Sequence, residues 1–202
     1  MKRSGLAYAR WWCALSVGAL LISLSGCHIH NTVPPPPPPS GATFSPSTGP
    51  TGSLPSTQAS TTFNVSSGGG TVPLSSQGLG GTLQYSGSNV FSAAGTFTLT
   101  TTAPTSGPGA NLSNALVYFT VQLNSSVTFI APFTISPVVF PTSYSTSGIT
   151  FTETLYNQNG GGPIGSPVPG VVNGQSVSFT PPGNGSFTAN ANTVYLAVVT
   201  GS

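Results

Sequence analysis

Acid–base catalysis needs side chains that titrate, and this sequence contains few of them. Glu153 is the single acidic residue, and His28 and His30 are the only histidines. Hydrolysis by paired carboxyls needs two such groups, and a serine nucleophile needs a positioned base. Neither set can be assembled from one glutamate and two histidines that lie far from it in the chain. His28 and His30 could bring two imidazoles close together. No Asp, Cys or His follows them to complete a metal shell. The glycine runs 68–70 and 160–162 lack the lysine and the strand-to-helix setting of a phosphate loop, so they read as turns. The expectation is therefore a non-enzymatic protein with no catalytic, metal or cofactor-binding residues.

Glu153 still calls for a position. In the stretch 149–156 it shares its phase with Ile149, Phe151 and Leu155. In a strand that places a carboxylate on the face that should be buried. One reading puts it near a sheet end, at a bulge, or against backbone donors. The other makes it a contact for a ligand or a calcium ion, completed by nearby carbonyls.

The elements that must carry these residues are strands. From about residue 60 the chain shows short runs rich in Thr, Val, Phe and Tyr, separated by Gly, Pro, Asn and Ser. Strands are predicted at 61–66, 81–86, 96–102, 115–123, 127–135, 149–157, 175–180 and 193–200. In 115–123, Val117, Phe119, Val121 and Leu123 share one face, and Tyr118, Thr120 and Gln122 share the other. Phe97 and Leu99 alternate with threonines in the same way, as do Val177 and Phe179 with serines. No stretch has a period of 3.6. The predicted fold class is all-β: an antiparallel β-sandwich with Greek-key connections, resembling immunoglobulin-like domains in outline. The Cys-Trp-Cys spacing of true immunoglobulin domains is absent. The apolar segment 127–140, interrupted by Pro132 and Pro137 and followed by Pro141, suits an edge or a strand that changes sheets. As an edge it would be a place for another subunit's strand to dock, although proline at that spacing blocks pairing.

The distribution of charge decides which partners are possible. The three cations, Lys2, Arg3 and Arg10, all lie in the first ten residues, so the net charge of +2 belongs to that end alone. Beyond residue 26 there is no Lys, Arg or Asp. Nucleic-acid binding needs clustered cations to displace counterions from phosphates, and is excluded. Disorder throughout is excluded too, because the C-terminal part is rich in the aromatic and β-branched residues that disordered chains lack.

The charged start is followed by an apolar stretch of a dozen residues, 13–24, closed by small residues. This is the order of a secretory signal peptide, and the stretch falls short of the ~20 residues that a membrane-spanning helix needs. Its end, Leu24-Ser25-Gly26-Cys27, resembles the lipobox of bacterial lipoproteins. That resemblance implies cleavage before Cys27, a diacylglyceryl group on its thiol, and often an acyl chain such as palmitate on the new amine. It also accounts for a mature chain with one cysteine and no disulfide partner. Two or three chains, at about 0.8 kcal/mol per buried CH₂, would anchor the protein firmly to a membrane.

Residues 27–57 then read as a disordered, lipidated Pro/Ser/Thr-rich tether. Residues 34–39 are six prolines, which must adopt polyproline II and would span about 19 Å. The expected organisation is signal peptide 1–26, tether 27–57 and β-sandwich domain 58–202. The function expected is display of a structural or interaction module at the cell envelope, with another envelope protein as partner. Where the host has two membranes, the outer one is favoured, because His28 is not the aspartate that retains lipoproteins at the inner one. The alternative is a carbohydrate-binding or adhesion domain for a neutral glycan. Tryptophan platforms are unavailable to it, since Trp11 and Trp12 leave with the signal peptide. Tyr85, Tyr118, Tyr144, Tyr156 and Tyr195 remain, with Tyr118 and Tyr156 on polar strand faces.

Overall fold

The computed structural model describes residues 52–160, 162–180 and 185–202. The segments expected as signal peptide and lipobox, the two histidines and the proline run lie outside the described residues. Within them the chain forms twelve strands: β1 Gln58–Val65, β2 Gly70–Ser76, β3 Leu79–Tyr85, β4 Ala93–Thr100, β5 Ala115–Leu123, β6 Val127–Phe129, β7 Thr134–Val139, β8 Phe151–Asn157, β9 Pro163–Asn173, β10 Ser176–Phe179, β11 Phe187–Ala189 and β12 Val194–Gly201. A short 3₁₀ turn, Pro108–Asn111, lies in the connection between β4 and β5. The protein is all-β, and every pairing between strands is antiparallel.

Ten strands are hydrogen-bonded in the order β1-β4-β5-β12-β8-β9-β10-β7-β3-β2, and β6 pairs separately with β11. The two ends of the ten-strand order, β1 and β2, are in contact with each other, so the sheet is nearly closed on itself. Near-closure answers a problem set by composition. Without lysine or arginine in residues 52–202 the domain cannot guard an exposed edge with positive charge, and instead it brings its two edges together. Pro73 in β2 adds a missing backbone donor at one of them.

β9 is the strand that turns the sheet. Its first part pairs with β8 through Pro163, Ile164, Val168 and Pro169, and its last four residues, Gly170 to Asn173, pair with β10. Gly170 sits where it changes neighbours. A Cβ there would lie 2.6 Å from Val177 Cγ1 and 3.1 Å from Phe151 Cβ, so only glycine lets the strand pass this close to the core.

The alternation read from sequence is the alternation observed. Val117, Phe119, Val121, Leu123, Phe97, Leu99, Val177 and Phe179 are all buried in one core. Phe97 stacks on Phe119 with centroids 5.8 Å apart, and Phe140 packs on Phe151 at 5.0 Å. At the end where β6 and β11 pair, Phe133, Phe187 and Tyr195 form an edge-to-face trio with centroids 5.3 to 5.7 Å apart.

Two features depart from the sequence expectations. Segment 127–140 is not one strand at an edge of the ten-strand sheet; of the two expectations it follows the other, a segment that changes sheets, with β6 paired to β11 and β7 to β3 and β10. It is split at residues 130–133 into β6 and β7, and β7 lies between β3 and β10 inside the sheet order, where no other strand can dock. Residues 52–57, expected as the end of a tether, lie against the domain: Leu54 packs on the core and Thr57 is buried. Thr57 N donates to Thr101 Oγ1 at 3.0 Å, and Thr101 Oγ1 donates to the Pro55 carbonyl at 3.0 Å.

Candidate functional site

Glu153 lies in the middle of β8, opposite Val199 of β12 and Val168 of β9, next to a register shift in the pairing with β9. Its phase with Phe151 and Leu155 turns the side chain inward, and only 3 % of the residue's surface is exposed. The carboxylate crosses the interior to β7, which is not a neighbour of β8 in the sheet. There Oε2 accepts a hydrogen bond from Thr134 Oγ1 at 2.8 Å, and Oε1 accepts one from the Ile135 backbone N–H at 2.9 Å.

The reason for a polar group at this point is the proline in β7. Pro137 has no N–H, and β10 pairs with β7 only at Val138 and Val139. The pairing of β7 with β3 also slips, between Gly81 and Leu83. The backbone around the break must find other partners, and side chains supply them. Ser136 Oγ accepts from Phe179 N at 3.0 Å, Gln84 Nε2 donates to the Ser136 carbonyl at 2.6 Å, and Ala131 N donates to Ser86 Oγ at 2.9 Å. Glu153 takes the Ile135 N–H in the same set. Among the described residues no buried side-chain nitrogen or oxygen lacks a partner.

Burial pushes the Glu153 carboxyl up from 4.5 to about 7, against the opposing effect of the Ile135 N–H and the Thr134 hydroxyl, which favour the charged form. No cation balances it, since residues 52–202 contain no Lys, Arg or His. Near neutral pH the group therefore exists in both states, and its partners suit both. A hydroxyl can donate to the carboxylate or rotate to accept from the carboxylic acid, while Ile135 N–H stays on the other oxygen. The partners facing the carboxyl are donors rather than the carbonyl oxygens that a calcium ion would share. The carboxyl is enclosed in the core.

The tyrosines do not assemble into an open platform. Tyr118 is 4 % exposed and belongs to a second apolar cluster on the outer face of β5 and β12, with Leu196 and Val198. Leu112, from the β4–β5 connection, packs over it together with the half-buried Tyr156. Tyr144 stacks on Phe140 in the core, and burial raises the phenols of both Tyr118 and Tyr144. Tyr195 is buried and accepts a hydrogen bond from Asn190 N at 2.8 Å. Tyr85 rests half-buried against Phe63 and Phe129.

Cys27, His28 and His30 lie outside the described residues. The partners of Glu153, Thr134 and Ile135, were missed in the sequence, though Thr134 and Ser136 stand just before Pro137 in an otherwise apolar run. Polar residues placed beside a proline inside a buried strand are the signal that would have found them.

No protein-family profile, no curated protein and no solved structure matches this chain.

Proposed function

We propose that this protein is a bacterial lipoprotein, held to a membrane by acyl chains on Cys27 and displaying a non-enzymatic β-domain that acts as a structural or interaction module of the cell envelope. The observation that carries the reading is the sequence Leu24-Ser25-Gly26-Cys27 at the end of a charged and then apolar leader. The composition of the remainder supports it. Once the leader is removed, Glu153 is the only Lys, Arg, Asp or Glu left, and it is enclosed in the core. A surface of hydroxyls, amides and backbone suits contacts with neutral partners and offers nothing to substrates that need acid, base or counter-charge.

The domain is read here as a β-sandwich with Greek-key connections, its ten-strand sheet folded into two layers at β9. Support comes from Gly81 of β3, where a Cβ would lie 2.5 Å from the Phe119 ring of β5, and from the reach of Glu153 to β7, both contacts across the core. The position of β12 between β5 and β8, strands that precede it by a long stretch of chain, is what Greek-key winding produces. In a host with two membranes the outer one is the proposed location.

Cys27→Ala tests the anchor. Wild-type protein is expected to sediment with membranes and to take up radiolabelled palmitate. The variant should lose the label and keep its leader. Equal labelling of both proteins would refute the reading.

A further inference from the structure

The β4–β5 connection meets the turn after β8 at a cleft of about 480 Å³, lined by Ser106, Gly107, Pro108, Asn111, Gln158 and Asn159. Its size falls in the ~300–1,000 Å³ range of small-molecule sites. Gly107 makes the junction possible. Its φ of 90° is open to glycine, and a Cβ there would lie 2.5 Å from the Gln158 carbonyl oxygen, so any larger residue would push the two loops apart. Gln158 N donates to the Val194 carbonyl at 3.0 Å, which ties this wall to β12. The opposite wall is fixed by the 3₁₀ turn, where Ala110 N donates to the Gly107 carbonyl at 3.2 Å, and by Leu112 seated in the outer apolar cluster with Tyr156.

The lining has a consistent chemistry. Three carboxamides, from Asn111, Gln158 and Asn159, and the Ser106 hydroxyl meet in one cleft with no charge near them. Among the described residues the Asn111 and Asn159 amides make no side-chain hydrogen bond, and Gln158 Nε2 makes only a long one, 3.5 Å, to the Ser106 carbonyl. A carboxamide offers two donors and an acceptor side by side, which is what a sugar hydroxyl needs, since it donates and accepts at once. An anionic ligand would find no counter-charge here, and an apolar one would strand the amides.

We infer that this cleft is the binding site for a neutral, hydroxyl-rich glycan, with Asn111, Gln158 and Asn159 reading its hydroxyls. The inference rests on the display-module reading above and names the ligand class for it.

The test uses the full-length lipoprotein in detergent on an array carrying neutral and anionic oligosaccharides, followed by titration with the best neutral oligosaccharide. Binding is expected for neutral glycans alone, and Asn111→Ala and Asn159→Ala should each weaken it about tenfold, the loss of one hydrogen bond. Melting temperatures should be unchanged, because both side chains are exposed or half-exposed. Gln158→Ala serves as a second wall variant. No bound neutral glycan, a preference for anionic ones, or full affinity in all three variants would overturn the inference. Membrane fractionation of the same preparations reads the anchor separately, so an empty cleft on an anchored protein is distinguishable from failure of the display reading.

Discussion

Glu153 controls how the domain answers to pH, because residues 52–202 hold no other side chain that titrates between pH 4 and 8. Its folded value, about 7, lies above the 4.5 of the open chain, so between those values the folded state holds a proton that the unfolded state has released. The unfolding free energy must then fall as pH rises through this window, by up to about 3 kcal/mol, and level off above it. Urea titrations from pH 4 to 8 should trace the curve of a single proton. Glu153→Gln keeps the shape, the acceptor for Ile135 N–H and a donor for Thr134. It should abolish the slope and make the protein more stable than wild type above pH 7. A variant that retains the slope would place the proton elsewhere. The inward phase of Glu153 was legible in the sequence, because period-two alternation fixes a face. Its pairing with Thr134 and Ile135 was not, because they come from β7, which is distant in the sheet, even though Thr134 stands out as a polar residue near Pro137 in an apolar run.

The eight strands read from alternation all correspond to observed elements, with ends displaced by a few residues and one of them split in two. The three that escaped reading share a composition. β2 has Pro73 at its centre, β9 carries Pro163, Pro167 and Pro169 with Gly165 and Gly170, and β11 has three residues. Local propensity assigns such segments to turns, and in β9 the partners on either side override it. β12 gave a different signal. Its apolar run from Tyr195 to Val199 does not alternate, and both of its faces are covered, one by the core and one by the outer cluster under Leu112. That covering also explains why Tyr118, on the face read as polar, is buried. The turn of β9 at Gly170 has a measurable consequence. Gly170→Ala drives a methyl group against Val177 and Phe151, and should cost about 1–3 kcal/mol in chemical denaturation with the fold retained. A neutral result would mean that β9 can move away from the core.

At the scale of the whole molecule, a single cut before Cys27 would remove three of the four Lys, Arg, Asp and Glu side chains. Lys2, Arg3 and Arg10 lie before Cys27, so cleavage there would turn a basic precursor into a chain whose one acidic side chain is buried. Such a domain cannot stay apart from its neighbours by charge repulsion. A nearly closed sheet with its edges in contact avoids the association that an open, neutral β-protein would risk, and the proposed tether to a surface would act in the same direction. Sheet closure is thus one response to this composition and the proposed anchor would be a second, the one on which the functional reading depends. Mass spectrometry of the N-terminal peptide from membrane-extracted protein tests it most directly. The account predicts a peptide that starts at Cys27 and carries a diacylglyceryl group. A peptide with an unmodified Cys27, or a mature end at any other residue, would contradict it.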